Sequence, residues 1–393
     1  MTISKKVEKI IAGSSFIRKM FEEGGRLKQE FGAENVCDFS LGNPNVPPPE
    51  KFNEILRETV STCGLNDHCY MPNTGYPMVC GAVAEYLSGE QQVPVSDKEI
   101  LMTCGASGAL NVALKAILDP GDEVLTPIPC FVEYKFYADN HGGVLKTVQT
   151  RPDFELDLEA IAGAITDKTK AFLINSPNNP TGQVYSEASM KALGEILENK
   201  GREYNRTIYL ISDEPYRKIV YDGVKVPSIF TAYRDSIIGT SYSKDISIPG
   251  ERIGFVAVNP AATYKNDLLA AMAVANRILG YVNAPALMQR VVACMQGMSV
   301  DISEYARKRE MLCEGLAGFG YEFLKPPGTF YLFPRSPIPD DIEFVDVLKA
   351  ERILVVPGTG FMGPGYFRIA FCVDDITITK AMPGFERAIA KFR

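Results

Sequence analysis

A chain of 393 residues with 46% apolar and 23% charged side chains has room for two or three domains and a composition near the globular average, which excludes disordered and fibrous classes. A net charge of −7, with no basic block beyond the amphipathic start at Lys5, Lys6 and Lys9, argues against nucleic acid and anionic membrane as partners.

Nine cysteines, odd in number and without a CxxC pair, read as reduced thiols of a cytoplasmic protein. His68 and His141, the two histidines, lie far apart without carboxylates at ligand spacing, so no metal site is expected. Charges interrupt every apolar run of MTISKKVEKIIAGSSFIRKM, and neither a signal peptide nor a membrane span is expected.

In chain order, the spacing of Phe16, Ile17, Met20 and Leu27 predicts a helix from Ser15 to Phe31, weakened by Gly24 and Gly25. Pro47 to Pro49 force an extended crossing segment, followed by a helix over Lys51–Val60 and the turn-rich run NDHCYMPNTGYP. Seven short apolar runs come next: Ile100–Thr103, Glu123–Thr126, Val144–Val148, Ala171–Asn175, Ile208–Asp213, Ile237–Thr240 and Ile253–Val258. Helical stretches such as Gly108–Leu118 and Glu187–Asn199 separate several of them. This alternation predicts an α/β domain with a mixed, mostly parallel seven-stranded sheet covered by helices. Helices over Asp267–Arg277 and over Pro285–Gln296, the second continuing toward Leu316, then lead into GTFYLFP, ERILVVPGTGF and YFRIAFC and a last helix, Ile376–Phe392. The expected division is residues 51–289 as the large domain, with 290–393 and the N-terminal 1–50 forming a smaller α+β domain.

Ligands of such sheets bind beyond the carboxyl ends of the strands, and the residues there carry a pattern. CGASGAL opens a helix, where the N–H groups of Ala106, Ser107 and Gly108 make an anion cradle. PIPCFVEY offers Phe131 or Tyr134 as an aromatic face. SPNNPTG fixes a turn from which an Asn amide can donate to a phenolate oxygen. In SDEPY, Asp213 is placed to hold a protonated ring nitrogen and Tyr216 to reach a ring hydroxyl. In SYSKDISIPGERIG, Lys244 stands among Ser241 and Ser243 with Arg252 eight residues on, a set suited to one amine and one phosphate.

Together, GASGAL, SPNNPTG, SDEPY, SYSK…GERIG and FRIAF resemble the class I/II aminotransferases, pyridoxal-phosphate enzymes of fold-type I, over essentially the whole chain. The resemblance implies pyridoxal 5'-phosphate as cofactor, amino acid and 2-oxo acid substrates, and a homodimer with shared active sites. It implies Lys244 as the Schiff-base lysine and proton carrier, Asp213 on the pyridinium nitrogen, Asn179 and Tyr216 on the ring oxygen, and Phe131 stacked on the ring. Ala106, Ser107, Gly108, Ser241, Ser243 and Arg252 would hold the phosphate with Tyr70 of a second subunit, and Arg368, Gly42 and Asn179 the substrate carboxylate. Ile278 stands where relatives specialised for dicarboxylates of the animal aspartate type have arginine, with Arg277 beside it, which puts aspartate as a substrate in doubt. Two alternatives are a carbon–sulfur β-lyase or aminocyclopropane-carboxylate-synthase-like enzyme on the same scaffold, and an effector-sensing regulator. The second would need a DNA-binding domain, for which the ~14 residues before the expected fold are too few.

Overall fold

The computed structural model describes residues 3–12 and 16–393. Ser15 and the side chains of Lys9 and Ile17 lie outside the described residues. The seven expected strands form one sheet, in the order Ile100–Thr103, Gly254–Val258, Ser236–Ser241, Tyr209–Asp213, Thr169–Asn175, Glu123–Ile128, Val144–Gln149. Gly254–Val258 runs antiparallel to both neighbours and the remaining pairs are parallel.

Both faces of the sheet are covered, which is why these strands read as continuous apolar runs. Along each strand the side chains alternate between two cores. Met102, Leu125, Phe172, Ile174 and Leu210 point to one, which the helices Pro77–Gln91, Glu187–Glu203 and Ala286–Ala293 close. Leu101, Val124, Ala171, Leu173 and Ile211 point to the other, under Gly105–Ile117 and Lys265–Ile278. Val144–Gln149 is the exposed edge.

A third core joins the two ends of the chain. Phe39 and Val46 pack with Tyr305, Leu312, Phe344, Phe367 and Phe385, and Cys37–Asp38 pairs in parallel with Ile353–Leu354. Val356–Pro357, Phe367–Ala370 and Tyr331–Leu332 make a small antiparallel sheet beside it.

One expected helix is broken. The segment from Pro285 toward Leu316 forms two helices, Ala286–Ala293 and Ile302–Gly318. Between them Gly297 takes φ +79°, Val300 N–H donates to Asp245 O at 2.7 Å, and the Asp301 side chain caps the new start by accepting from Ser303 N–H. The helix Pro77–Gln91, opened by its proline at the first position, went unread because Gly81 and Gly89 dilute its pattern.

Candidate active site

The carboxyl edge of the sheet and the third core enclose a cleft of about 270 Å³. Its wall includes Gly42, Ala106, Ser107, Phe131, Asn179, Asp213, Tyr216, Ser241, Ser243, Lys244, Arg252 and Arg368, so turns after five strands and two distant segments converge. Because Gly254–Val258 runs antiparallel, the residues preceding it, Arg252 among them, fall on the same edge as the residues following its neighbours.

Lys244 donates from Nζ to Gly42 O at 2.7 Å, with Phe330 under the ammonium at 5.7 Å. Burial pulls its pKa down to about 8, Arg368 and Arg252 adding to the fall against the opposing Cys372. Burial likewise pushes the Asp213 carboxyl up to about 7, opposed by a hydrogen bond from Tyr134 and assisted by Glu214. Tyr134 Oη donates to Asp213 Oδ2 at 2.7 Å, whereas Oδ1 is buried without a partner. A buried carboxylate oxygen left so is costly unless a ligand donor meets it.

Arg368 is fully buried. It donates to Asn179 Oδ1 at 3.0 Å and to Ser40 O at 2.6 Å, between the rings of Tyr331 at 4.5 Å and Phe361 at 4.7 Å. With its oxygen taken, Asn179 presents its NH₂ end as donor. Asn179 N–H is itself fixed by Asn175 Oδ1 at 2.6 Å.

On the far side, the helix Gly105–Ile117 starts without a side-chain cap, so its first N–H groups remain available to an anion. The Arg252 guanidinium closes on this helix start: a Cβ added to Gly105 would stand 2.9 Å from its Nη2. Gly105 also takes φ +73°, so glycine is required on both counts.

Gly108 and Tyr70 are the two expected residues that do not line the cleft. Gly108 lies one turn inside its helix, where its N–H bonds back to the helix start, and the free donors are those before it. Tyr70, 91% exposed, borders a separate recess with Tyr281, Val282 and Asn283. Phe131 lines the cleft, while Tyr134, the other aromatic of that turn, is buried beneath Asp213. Tyr137, whose hydroxyl donates to Ser107 Oγ at 2.9 Å, and Tyr331 line the cleft and went unread. Both are aromatic positions that sequence alone assigns to packing. His141 contacts Asn111 and His68 is exposed, and no metal-type cluster occurs among the described residues.

Residues 34–384 match the family model Aminotransferase class I and II. The chain is 32% identical over 360 residues to the probable aspartate aminotransferase of Methanocaldococcus jannaschii, covering 88% of this chain and 92% of that one. It is 30% identical over 407 residues to aromatic-amino-acid aminotransferase 2 of Thermococcus litoralis, covering 99% and 98%. An amino transferase structure from Eubacterium rectale superposes with a TM-score of 0.97 at 39% identity, covering 100% of both chains. Aspartate aminotransferase of Thermus thermophilus with maleate gives 0.86 at 28%, covering 99% of this chain and 100% of that one.

Proposed function

The chain belongs to the class I and II aminotransferases and is an enzyme of amino acid transamination; we propose that its cleft holds pyridoxal phosphate and exchanges an amino group between an amino acid and a 2-oxo acid. The observation that carries this reading is the unpartnered Oδ1 of buried Asp213, an acceptor suited to a protonated ring nitrogen. Bound there, pyridoxal phosphate supplies a carbonyl that condenses with amines and a ring that takes up the electron pair left at the substrate Cα.

In this reading Arg252, the N–H groups of Ala106 and Ser107, and the hydroxyls of Ser241 and Ser243 hold the phosphate. Phe131 covers the ring, and Asn179 and Tyr216 donate to its oxygen. Arg368, prepositioned by Asn179 and Ser40 and flanked by Gly42, takes the substrate carboxylate with its planar fork. Lys244 Nζ would meet that carbonyl as the neutral amine, which its lowered pKa makes abundant near pH 8. With substrate bound, Nζ would stand as the base that takes the Cα proton and later returns one.

The reading includes a homodimer. Val60, Leu65, Tyr70 and Met78 are exposed apolar side chains, and the recess beside Tyr70 is bordered by Tyr281, whose ring lies near Gly108 at the helix that opens the cleft. A second copy docked on this face would bring its Tyr70 toward the phosphate end. We also take residues 51–289 as the large domain and 1–50 with 290–393 as the small one. The cores divide about ten residues beyond that boundary, Val291, Val292 and Met295 packing with the large sheet and Val300 with the third core.

Purified protein loaded with pyridoxal phosphate should be bleached by an amino acid and restored by a 2-oxo acid, and Lys244→Ala should lose the borohydride-fixed cofactor. Release of pyruvate and ammonia from one substrate without an acceptor would instead establish a lyase.

A further inference from the structure

We propose that Tyr331 is a positioning residue that sets the hydrogen-bonding strength of Tyr216 and holds the Arg368 guanidinium flat, so that the cofactor end and the carboxylate end of the cleft are tuned by one side chain. The proposal rests on the functional reading above and concerns a residue to which that reading gives no role.

Tyr331 touches three parts of the cleft at once. Its hydroxyl lies 2.9 Å from that of Tyr216. Its ring lies 4.5 Å from the Arg368 guanidinium. Its hydroxyl also fills the space where residue 42 would carry a Cβ, so that glycine alone fits there, and Gly42 O is the acceptor for Lys244. All three contacts bridge segments distant in sequence.

The turn that presents Tyr331 is held against strain. Thr329, β-branched, takes φ +61°, a conformation such residues avoid. It is fixed there by Thr329 N–H donating to Ile219 O at 2.8 Å, by Tyr221 Oη donating to Thr329 O at 2.6 Å, and by Tyr331 N–H donating to Thr329 Oγ1 at 3.1 Å. Phe330, next in the chain, packs edge-on to Tyr216, so both sides of Tyr216 are set by this segment.

A phenol has one proton. When Tyr216 donates to an anionic oxygen in the cleft, its contact with Tyr331 must be made with Tyr331 as donor. That donation polarises Tyr216 and strengthens its own hydrogen bond, which favours the deprotonated form of the bound chromophore.

The experiment titrates the absorbance of the holoenzyme with pH in the parent, Tyr331→Phe, Tyr216→Phe and the double variant. A parent that fails to take up pyridoxal phosphate would overturn the functional reading itself, and is scored before any variant. With loading established, Tyr331→Phe should raise the midpoint by about 0.5–1 pH unit, the size of one net hydrogen bond. The double variant should titrate with Tyr216→Phe, because the shift travels through that residue. In Tyr331→Leu, which also removes the ring over Arg368, a 2-methyl amino acid should bind about fivefold more weakly than in Tyr331→Phe, the size of one cation–π contact. An unchanged midpoint in Tyr331→Phe, a double variant displaced by the full extra shift, or equal affinity in the Phe and Leu variants would overturn the proposal.

Discussion

Replacing Asp213 by Asn should stabilise the cofactor-free protein while disabling its cleft. The Asp213 carboxyl is raised from 3.8 to about 7, chiefly by burial. Between those two values the folded chain binds more of this proton than the unfolded chain, so the contribution of Asp213 to stability is most favourable below pH 3.8, falls as pH rises through this window, and stays low above it. Three pH units at about 1.4 kcal/mol each set an upper bound of about 4 kcal/mol on the loss. Asn keeps an oxygen to accept from Tyr134, which now donates to Oδ2 at 2.7 Å, and carries no charge to desolvate. Urea unfolding of both cofactor-free proteins at pH 5 and pH 8 should therefore show the advantage of Asn growing by about 2–3 kcal/mol at the higher pH. The holoenzyme should pay in turnover, losing about a hundredfold or more in kcat with the charge opposite the ring nitrogen. A stability difference independent of pH, or a parent more stable than the variant at pH 8, would refute the assignment of Asp213 as a buried carboxylate awaiting a cationic partner.

The capture of pyridoxal phosphate by the cofactor-free protein, followed by absorbance, should accelerate with pH and level off about a midpoint near 8, because the neutral amine of Lys244 is the nucleophile and its pKa is lowered to about 8. A rate still climbing at pH 10 would mark an ordinary solvated lysine. Arg368→Lys keeps the charge but loses the fork that now engages Asn179 and Ser40. Steady-state kinetics should show KM for the amino acid raised about 10–100-fold with a smaller change in kcat, and an unchanged KM would count against the carboxylate clamp. Gly42→Ala places a Cβ onto the Tyr331 hydroxyl and should cost about 1–3 kcal/mol in urea unfolding, part of which Tyr331→Phe in the same chain should recover.

Much of the sheet was legible because its strands are buried on both faces. Leu101 and Met102, or Leu173 and Ile174, face opposite cores, and only an unbroken apolar run satisfies both. The break at Gly297 was not legible. The apolar spacing continues past it, yet the helix stops at Ala293 and unwinds into turns, Cys294 N–H bonding Val291 O and Met295 N–H bonding Val292 O, and the connection is tied down by Asp245 O, 55 residues away, which accepts from Val300 N–H. Gly108 shows a finer limit: GASG marks a helix start by composition, but which of its N–H groups stay free depends on the residue at which the helical ladder begins.

The chemistry available around the cleft is written in short local motifs. An amine, a carboxylate, an amide and two guanidiniums stand in local motifs whose turns are written in Gly, Pro, Asn and Ser. Tertiary structure alone decided which groups those residues answer to. Tyr134 lies under Asp213 rather than over a ring, Tyr331 lies between Tyr216 and Arg368, and Glu214 and Asp245, the chain neighbours of Asp213 and Lys244, turn away from the cleft to pair with Arg217 and Lys218. The physical reason is range. Turn chemistry and periodicity act over a few residues, whereas Tyr216 and Tyr331 are 115 residues apart and meet only when separate cores pack against one another.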